Sequence, residues 1–523
     1  MVWFDLLYPS EKKWEEEKKQ GGRVSPRLAY DLQLDRLVKD NVLDRDEYAQ
    51  LSQELEYLPI DRKVVLFRQA VLGDLMRNPH FLDKCGAFCA KLKNNVPVKR
   101  NIWDPPVPVY KNLEEQVGVL EANYQSICTT DLGAATAFRT EALMRLAYFF
   151  ESDEYKGRLR EVIKLLKELL ASGAVRYRPE YAYGQVMESM VIQDVYRENF
   201  YVMREKGLLK KPIIDKDYLI PADNIILENN MEEIYSKTIV KLCDFVSKLN
   251  STIVNTFRRI QRELPYYRAG IRLHEMYRRL GCQVCLPQVE EGYGASMEFC
   301  ELYPVHLLAG KSLNEIQTNS YSNKEGRTAI VTGYNSGGKT TFLQAVGIAQ
   351  IMMQFGFFVP AASYQASIVP FIGSLFSRSE DIDTIYGKLE QELMEVKNVA
   401  GRIEAGSLLL INEIFGTTSE KEGTEIAAEV LCAFSRTHSH MIFVTHLKYL
   451  ADMVQEQKLA LAEGEHAVNY VTEQFKEADG RLKKTYRIRR GCPEPGIFEK
   501  ELFDKYYGKA LWKKTDEECE VFE

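Results

Sequence analysis

Cysteine is scarce: 10 thiols in 523 residues are too few for a disulfide scaffold, and no basic, apolar, small-residue signal precedes the polar stretch Glu11–Arg23. The expectation is a reduced, cytoplasmic protein. An excess of one charge is missing too, because 68 Lys+Arg against 75 Asp+Glu leave −7, a balance with no global pull on a polyanion. Any nucleic-acid contact has to be local and shaped. The longest apolar run, Ala345–Ala362, contains Gln350 and Gln354 and follows Gln344, so it reads as a buried helix and no membrane is expected as a partner. Cys282-Gln-Val-Cys285 has no second pair at zinc-site spacing and reads as two idle thiols. What remains is ordinary: 45% hydrophobic and 27% charged residues exclude a disordered or fibrous chain. At roughly 150 residues per domain, the length suggests about three folded units.

Residues 1–27 are polar and suggest a loosely held arm. From 28 to 173 the pattern is helical, closing with Leu159, Val162, Ile163, Leu166, Leu169 and Leu170 on one face before Gly173. Between 174 and 224 that rhythm breaks at Pro179, Pro212 and Pro221, amid many tyrosines, which suggests an insertion or small subdomain. Residues 225–300 read as long helices. The first, Met231 to Leu264, repeats apolar residues at steps of three and four (Ile239, Leu242, Val246, Leu249, Ile253, Phe257, Ile260). The next helical stretch is basic (Arg258, Arg259, Arg262, Arg268, Arg272, Arg278 and Arg279, opposed only by Glu263 and Glu275), which reads as a solvated face or a phosphate-binding stripe. From 301 to 510 strands alternate with helices, and 511–523 form a charged tail. The fold class is therefore α/β plus all-α.

The chemistry is concentrated in the α/β part. The β-branched run Thr328–Thr332 feeds Gly333-Tyr-Asn335-Ser-Gly337-Gly338-Lys339-Thr340, a G-x-x-x-x-G-K-[ST] loop in strand–loop–helix context. Its glycines let backbone N–H groups converge on phosphate oxygens, Lys339 neutralises the β and γ groups, and the Thr340 hydroxyl is offered to Mg²⁺. Hydrolysis needs an acid on a neighbouring strand. The apolar run Leu408–Ile411 delivers Asn412 and Glu413 at its C-terminal end, where α/β sheets place ligands. Glu413 is the candidate general base, and His446, after the strand Met441–Thr445, the candidate sensor of the γ-phosphate.

Taken together, these segments resemble the MutS family of DNA mismatch repair ATPases. Gly333–Thr341 is similar to that family's GPNxGGKST loop, and Phe376-Ser-Arg378 with Asp381 resembles its F-x-R-x-G-x-x-D segment. Asn412-Glu-Ile-Phe-Gly416-Thr417 through Gly423 resembles its DE-x-x-x-GT stretch, and Thr445-His446 its terminal switch. Val64–Leu75, Tyr267–Pro287 and Tyr486–Gly496 carry weaker likenesses. The resemblance implies an ABC-class P-loop ATPase domain following a helical core and lever region, with 174–224 as a reduced clamp-like subdomain. It implies ATP and Mg²⁺ as cofactors, with Gly333, Asn335, Gly337, Gly338, Lys339, Thr340 and Thr341 on the nucleotide and Thr340 and Asn412 on the metal. Glu413, His446 and Lys339 would be catalytic. Partners would be mismatched or branched double-stranded DNA, a second copy of the chain through composite ATPase sites, and downstream repair proteins.

Three departures stand out. No mismatch-reading domain fits before Leu28, and the Phe-x-Glu triplets at Phe149, Phe299 and Phe475 sit in unsuitable contexts for a wedge. The aspartate expected before the catalytic glutamate is Asn412, a neutral amide that weakens magnesium binding. Gly387-Lys-Leu-Glu-Gln-Glu392 stands where the family carries a serine, so Gly387 or Lys388 would have to reach the partner's γ-phosphate. These departures keep a second reading open: an ATP-gated DNA clamp that closes with little or no hydrolysis and prefers branched DNA or another nucleic acid.

Overall fold

The computed structural model describes residues 5–34, 56–93, 106–171, 174–181, 187–196, 225–292, 296–308, 312–334, 336–377, 387–416, 418–476 and 482–492. The chain forms two compact units, Met1–Asp5 with Arg77–Leu264, and Leu6–Met76 with Pro265–Glu523. In chain order come α1 (Glu11–Gln20), β1 (Gly22–Arg23), α2 (Pro26–Asp31), β2 (Tyr57–Leu58), α3 (Arg62–Arg77), α4 (Phe81–Lys91), α5 (Pro106–Thr129), α6 (Glu141–Glu151) and α7 (Asp153–Ala171). A hairpin of β3 (Ala174–Tyr181) and β4 (Met187–Tyr196) precedes the long helix α8 (Ile225–Arg279).

Among its described residues the first unit is helical apart from that hairpin. Leu113, Val117, Leu120 and Tyr124 line one face of α5 and pack against Ile163 and Leu166 of α7 and Cys243 and Val246 of α8. A second cluster is aromatic, with the Phe88 ring edge-on to those of Phe150 and Phe257 at 4.8 and 4.7 Å. Phe149 packs beside Phe257. The break expected after Leu264 is absent: α8 continues through Pro265 to Arg279, although the proline removes one backbone donor from the ladder. Its residues up to Leu264 belong to the first unit and those from Pro265 to the second.

In the second unit the polar N-terminus is not a loose arm. Leu6, Leu7 and Tyr8 are buried, Ser10 caps α1 by accepting from Lys13 N, and buried Glu17 accepts from Ile60 N and Asp61 N. Arg68, 1% exposed, donates to Leu7 O and to the Tyr266 hydroxyl, both at 3.1 Å, with its guanidinium against the rings of Tyr8 and Tyr266. An anchor of three apolar residues amid charge is too short to show as periodicity. The boundary expected at Leu28 is corrected accordingly: residues 6–76 fold with the C-terminal unit, and the helical unit begins at Arg77.

The remaining elements are β5 (Gln288–Val289), β6 (Met297–Leu302), β7 (Asn319–Ser322), β8 (Thr328–Thr332), α9 (Lys339–Gln354), β9 (Ser363–Ala366), β10 (Ile372–Phe376), α10 (Lys388–Ala400), β11 (Leu408–Asn412), α11 (Glu420–Ser435), β12 (His440–Val444), α12 (Lys448–Gln455), β13 (Ala467–Lys476) and β14 (Leu482–Arg490). They build a six-stranded sheet in the order β10-β11-β12-β8-β13-β14 and a four-stranded one, β5-β9-β6-β7. In the larger sheet the first five strands are parallel and β14 is antiparallel to β13. β8, β10, β11 and β12 are buried along their whole length, as continuous apolar strands covered on both faces must be. Leu409, Ile411, Met441 and Phe443 pack under Leu431 and Phe434 of α11 and Leu450 of α12. On the other face Gly347 brings α9 against Leu410.

The apolar run at 345–362 is a buried helix up to Gln354, and its amides are structural. Gln350 donates to Ser367 O, Gln354 to Pro59 O and Val369 O, and Gln344 to Asp31 O. No described helix is long and apolar enough to cross a membrane. Burial pushes the thiols of Cys282 and Cys285 up, the latter to about 11, as for unreactive thiols. Phe299 is buried and stacks on Tyr364. Asn335, Arg378, Asp381, Thr417, Glu477 and the tail 511–523 lie outside the described residues.

Candidate nucleotide site

Strand register sets the site. Phe376 pairs with Asn412, Asn412 with Val444, and Val444 with Val331, so β10, β11, β12 and β8 end side by side. Whatever leaves the four C-terminal ends converges at one edge of the sheet.

The loop after β8 opens with Gly333 at φ 138° and closes with Gly338 at φ 88°, conformations that residues with a Cβ rarely adopt. Gly338 is the N-cap of α9 and no side chain caps that end, so the first-turn N–H groups face the loop's concavity. Lys339 is 3% exposed. Its Nζ donates to Gly333 O at 2.9 Å and Tyr334 O at 3.1 Å and lies 3.8 Å from the Glu413 carboxylate. Desolvation pushes the ammonium pKa down, partly offset by Glu413. Thr340 Oγ1 donates to Asn412 Oδ1 at 3.1 Å. Glu413 Oε1 is 2.9 Å from His446 Nε2, and that hydrogen bond holds its carboxyl below the usual range.

Ser336, Gly337, Gly338, Lys339, Thr340, Thr341 and Glu413 line one end of a cavity of about 300 Å³. The structure thus brings the described members of the expected set together. The other end was not foreseen: Leu302, Pro304, Leu307, Ile316 and Tyr486 supply an apolar wall. Tyr486 has φ 60°, and the Asn319 side chain braces its backbone by donating to Tyr486 O and accepting from Ile488 N. Nothing in the spacing of these residues announces a wall, because they come from three separate segments: 302–307, Ile316 and Tyr486.

The donor set suits a phosphate-bearing ligand whose flat apolar part lies against Tyr486: a cationic, N–H-rich pole, an acid and a histidine opposite, and hydrophobic contact beyond. Residues 329–494, which carry the glycine-rich loop, Asn412, Glu413, His446 and Tyr486, match MutS domain V.

Over that stretch the chain is similar to the MutS family.

The chain is 23% identical over 404 residues to the DNA mismatch repair protein MutS of Caldicellulosiruptor saccharolyticus, covering 74% of the chain and 44% of that protein. It is 29% identical over 209 residues to Endonuclease MutS2 of Anaeromyxobacter sp., covering 39% and 24%. It is 30% identical over 185 residues to MutS protein homolog 4 of Homo sapiens, covering 34% and 19%. Each match spans less than half of the relative's own length.

Proposed function

We propose that this chain is a MutS-family protein that binds ATP at the shared end of β8, β11 and β12, hydrolyses it, and uses the nucleotide state to control binding to double-stranded DNA as an ABC-class P-loop ATPase. The observation that carries this reading is the meeting of Lys339, Thr340 and Glu413 in the lining of one cavity, with Asn412 hydrogen-bonded to Thr340 and His446 to Glu413. Lys339 is the cation for the β and γ phosphates, and the glycine loop and the start of α9 supply neutral donors. Glu413 holds the attacking water and takes its proton. His446, bonded to that carboxylate, orients it and stands beside the γ-phosphate. Tyr486 and Ile316 flank the base.

Thr340 Oγ1 and Asn412 Oδ1, adjacent neutral oxygens, fit a hydrated Mg²⁺ that takes its remaining ligands from water and phosphate. When bound, the ion screens charge on the phosphates. Because Asn412 adds no negative charge, Asn412→Asp is expected to lower the half-saturating magnesium concentration for ATP turnover. A roughly tenfold shift corresponds to about 1.4 kcal/mol of added attraction. A magnesium titration identical to that of the wild type would contradict this role.

We also propose pairing of two chains, each nucleotide meeting the partner's Gly387–Glu392 segment. Leu393 and Met394 of α10 are 40% and 48% exposed, apolar surface next to that segment that a partner would cover. The same segment lacks a serine, which favours slow turnover and keeps a clamp that rarely hydrolyses as the second reading. Competition binding of perfect, mismatched and branched duplexes at fixed salt, with and without ATP, tests the functional reading. Affinity that changes with nucleotide supports it; affinity blind to nucleotide contradicts it. ATP-dependent binding with negligible phosphate release selects the second reading.

A further inference from the structure

We infer that Glu392 is a positioning residue for Glu413, acting through the turn that follows β11. The inference rests on the reading of Glu413 as the group that handles the attacking water. Glu392 lies in the second turn of α10, 4% exposed, and both carboxylate oxygens are engaged. Oε1 accepts from Ser377 Oγ at 3.0 Å and Oε2 from the backbone N–H of Phe415 at 2.8 Å.

These two donors bracket Glu413. Ser377 N donates to Asn412 O at 3.0 Å, which ties Ser377 to the residue just before it. Phe415 is two residues after it and fully buried. Between these ties the backbone is unusual, with Glu413 at φ 55° and Phe415 at φ 66°. Residues with a Cβ stay in that left-handed region only where their surroundings hold them. Glu413 N is held by Val444 O at 2.9 Å. Phe415 N is held by Glu392, and Gly423 leaves no room to shift, since a Cβ there would lie 2.5 Å from Phe415 O. Removing the carboxylate leaves a buried N–H unpaired and frees the turn that aims Glu413 at His446 and Lys339.

A carboxylate fits because it accepts from two donors at once. Glutamine keeps the arrangement: its carbonyl accepts from Phe415 N while its amide donates to Ser377 Oγ, whose hydroxyl rotates. Methionine matches the length and does neither.

The experiment compares wild type, Glu392→Met, Glu392→Gln and Glu413→Gln for ATP turnover, affinity for a fluorescent ADP and cooperative thermal unfolding. Glu392→Met is expected to lower kcat by on the order of tenfold or more through misplacement of Glu413, to keep ADP affinity within about twofold, and to melt cooperatively. Glu392→Gln should recover most of kcat. If Glu392→Met does not fold, Ser377→Ala, which removes one of the two donors, carries the same expectation in milder form. Wild-type kcat in Glu392→Met, a Glu392→Gln as impaired as the methionine variant, or an ADP affinity that falls in step with kcat would overturn the inference. Slow Glu413→Gln with fast Glu392→Met defeats the positioning role alone, whereas wild-type turnover in Glu413→Gln defeats the reading of Glu413 beneath it.

Discussion

Glu413→Gln is expected to lower ATP turnover by on the order of 10²–10⁴ while ATP still binds, the loss typical of removing a positioned general base. The amide keeps the shape of the carboxylate and accepts a hydrogen bond from His446, but it takes no proton from water. Lys339 loses a counter-charge 3.8 Å away, which makes the pocket more attractive to a triphosphate, so nucleotide affinity should hold or rise. pH separates this from general damage. The Glu413 pKa is depressed by its hydrogen bond to His446, so the folded state favours the ionised form. The stability this adds is present above the ordinary carboxylate range and is lost as pH falls through the depressed value. Glu413 should therefore stay ionised throughout the neutral range, so wild-type turnover should lose nothing to its protonation until pH falls below the ordinary carboxylate range. Turnover of Glu413→Gln equal to that of the wild type, measured by phosphate release, would remove Glu413 from the chemistry.

Gly333→Ala should be nearly as severe, for a different reason. A Cβ at Gly333 would lie 2.0 Å from Thr472 Oγ1 and 2.9 Å from Thr472 Cβ. Thr472 is buried in β13 beside β8, so its side chain must shift against packed neighbours. The φ of 138° is closed to alanine in any case. Strain of about 1–3 kcal/mol is expected, and it falls on the residue whose carbonyl anchors Lys339 Nζ. The loop should relax away from its phosphate-binding shape, with ADP affinity reduced by roughly tenfold or more, about 1.4 kcal/mol at least. Gly157→Ala in α7 is the control, because a Cβ there meets nothing within 4 Å. Unchanged affinity and melting in Gly333→Ala would show that the loop conformation is not what holds the ligand.

The parts of the molecule that were legible in the sequence are those where one physical requirement acts on consecutive residues. Parallel strands buried on both faces must be unbroken apolar runs, so Thr328–Thr332, Leu408–Asn412 and His440–Val444 could be placed, and the polar groups at their ends with them. The phosphate loop shows itself because its glycines and Lys339 are contiguous. Tyr486 reaches the cavity from 167 residues beyond Asn319, and Glu392 acts on Phe415 from 23 residues away. No spacing rule joins them. The N-terminal segment was misread for a related reason: Leu6, Leu7 and Tyr8 are anchored by Arg68 and Tyr267, distant partners that local polarity conceals. The first long helix was ended too early at Leu264, since α8 tolerates Pro265 and runs on to Arg279.

Equilibrium titration of the purified chain with a fluorescent adenine nucleotide, repeated with Gly333→Ala, bears most directly on the claim that the edge formed by β8, β11 and β12 is a nucleotide site. Saturable binding at one site per chain, displaced by unlabelled ATP and weakened by Gly333→Ala, is the predicted result. No saturable binding, or binding that Gly333→Ala leaves untouched, would contradict it.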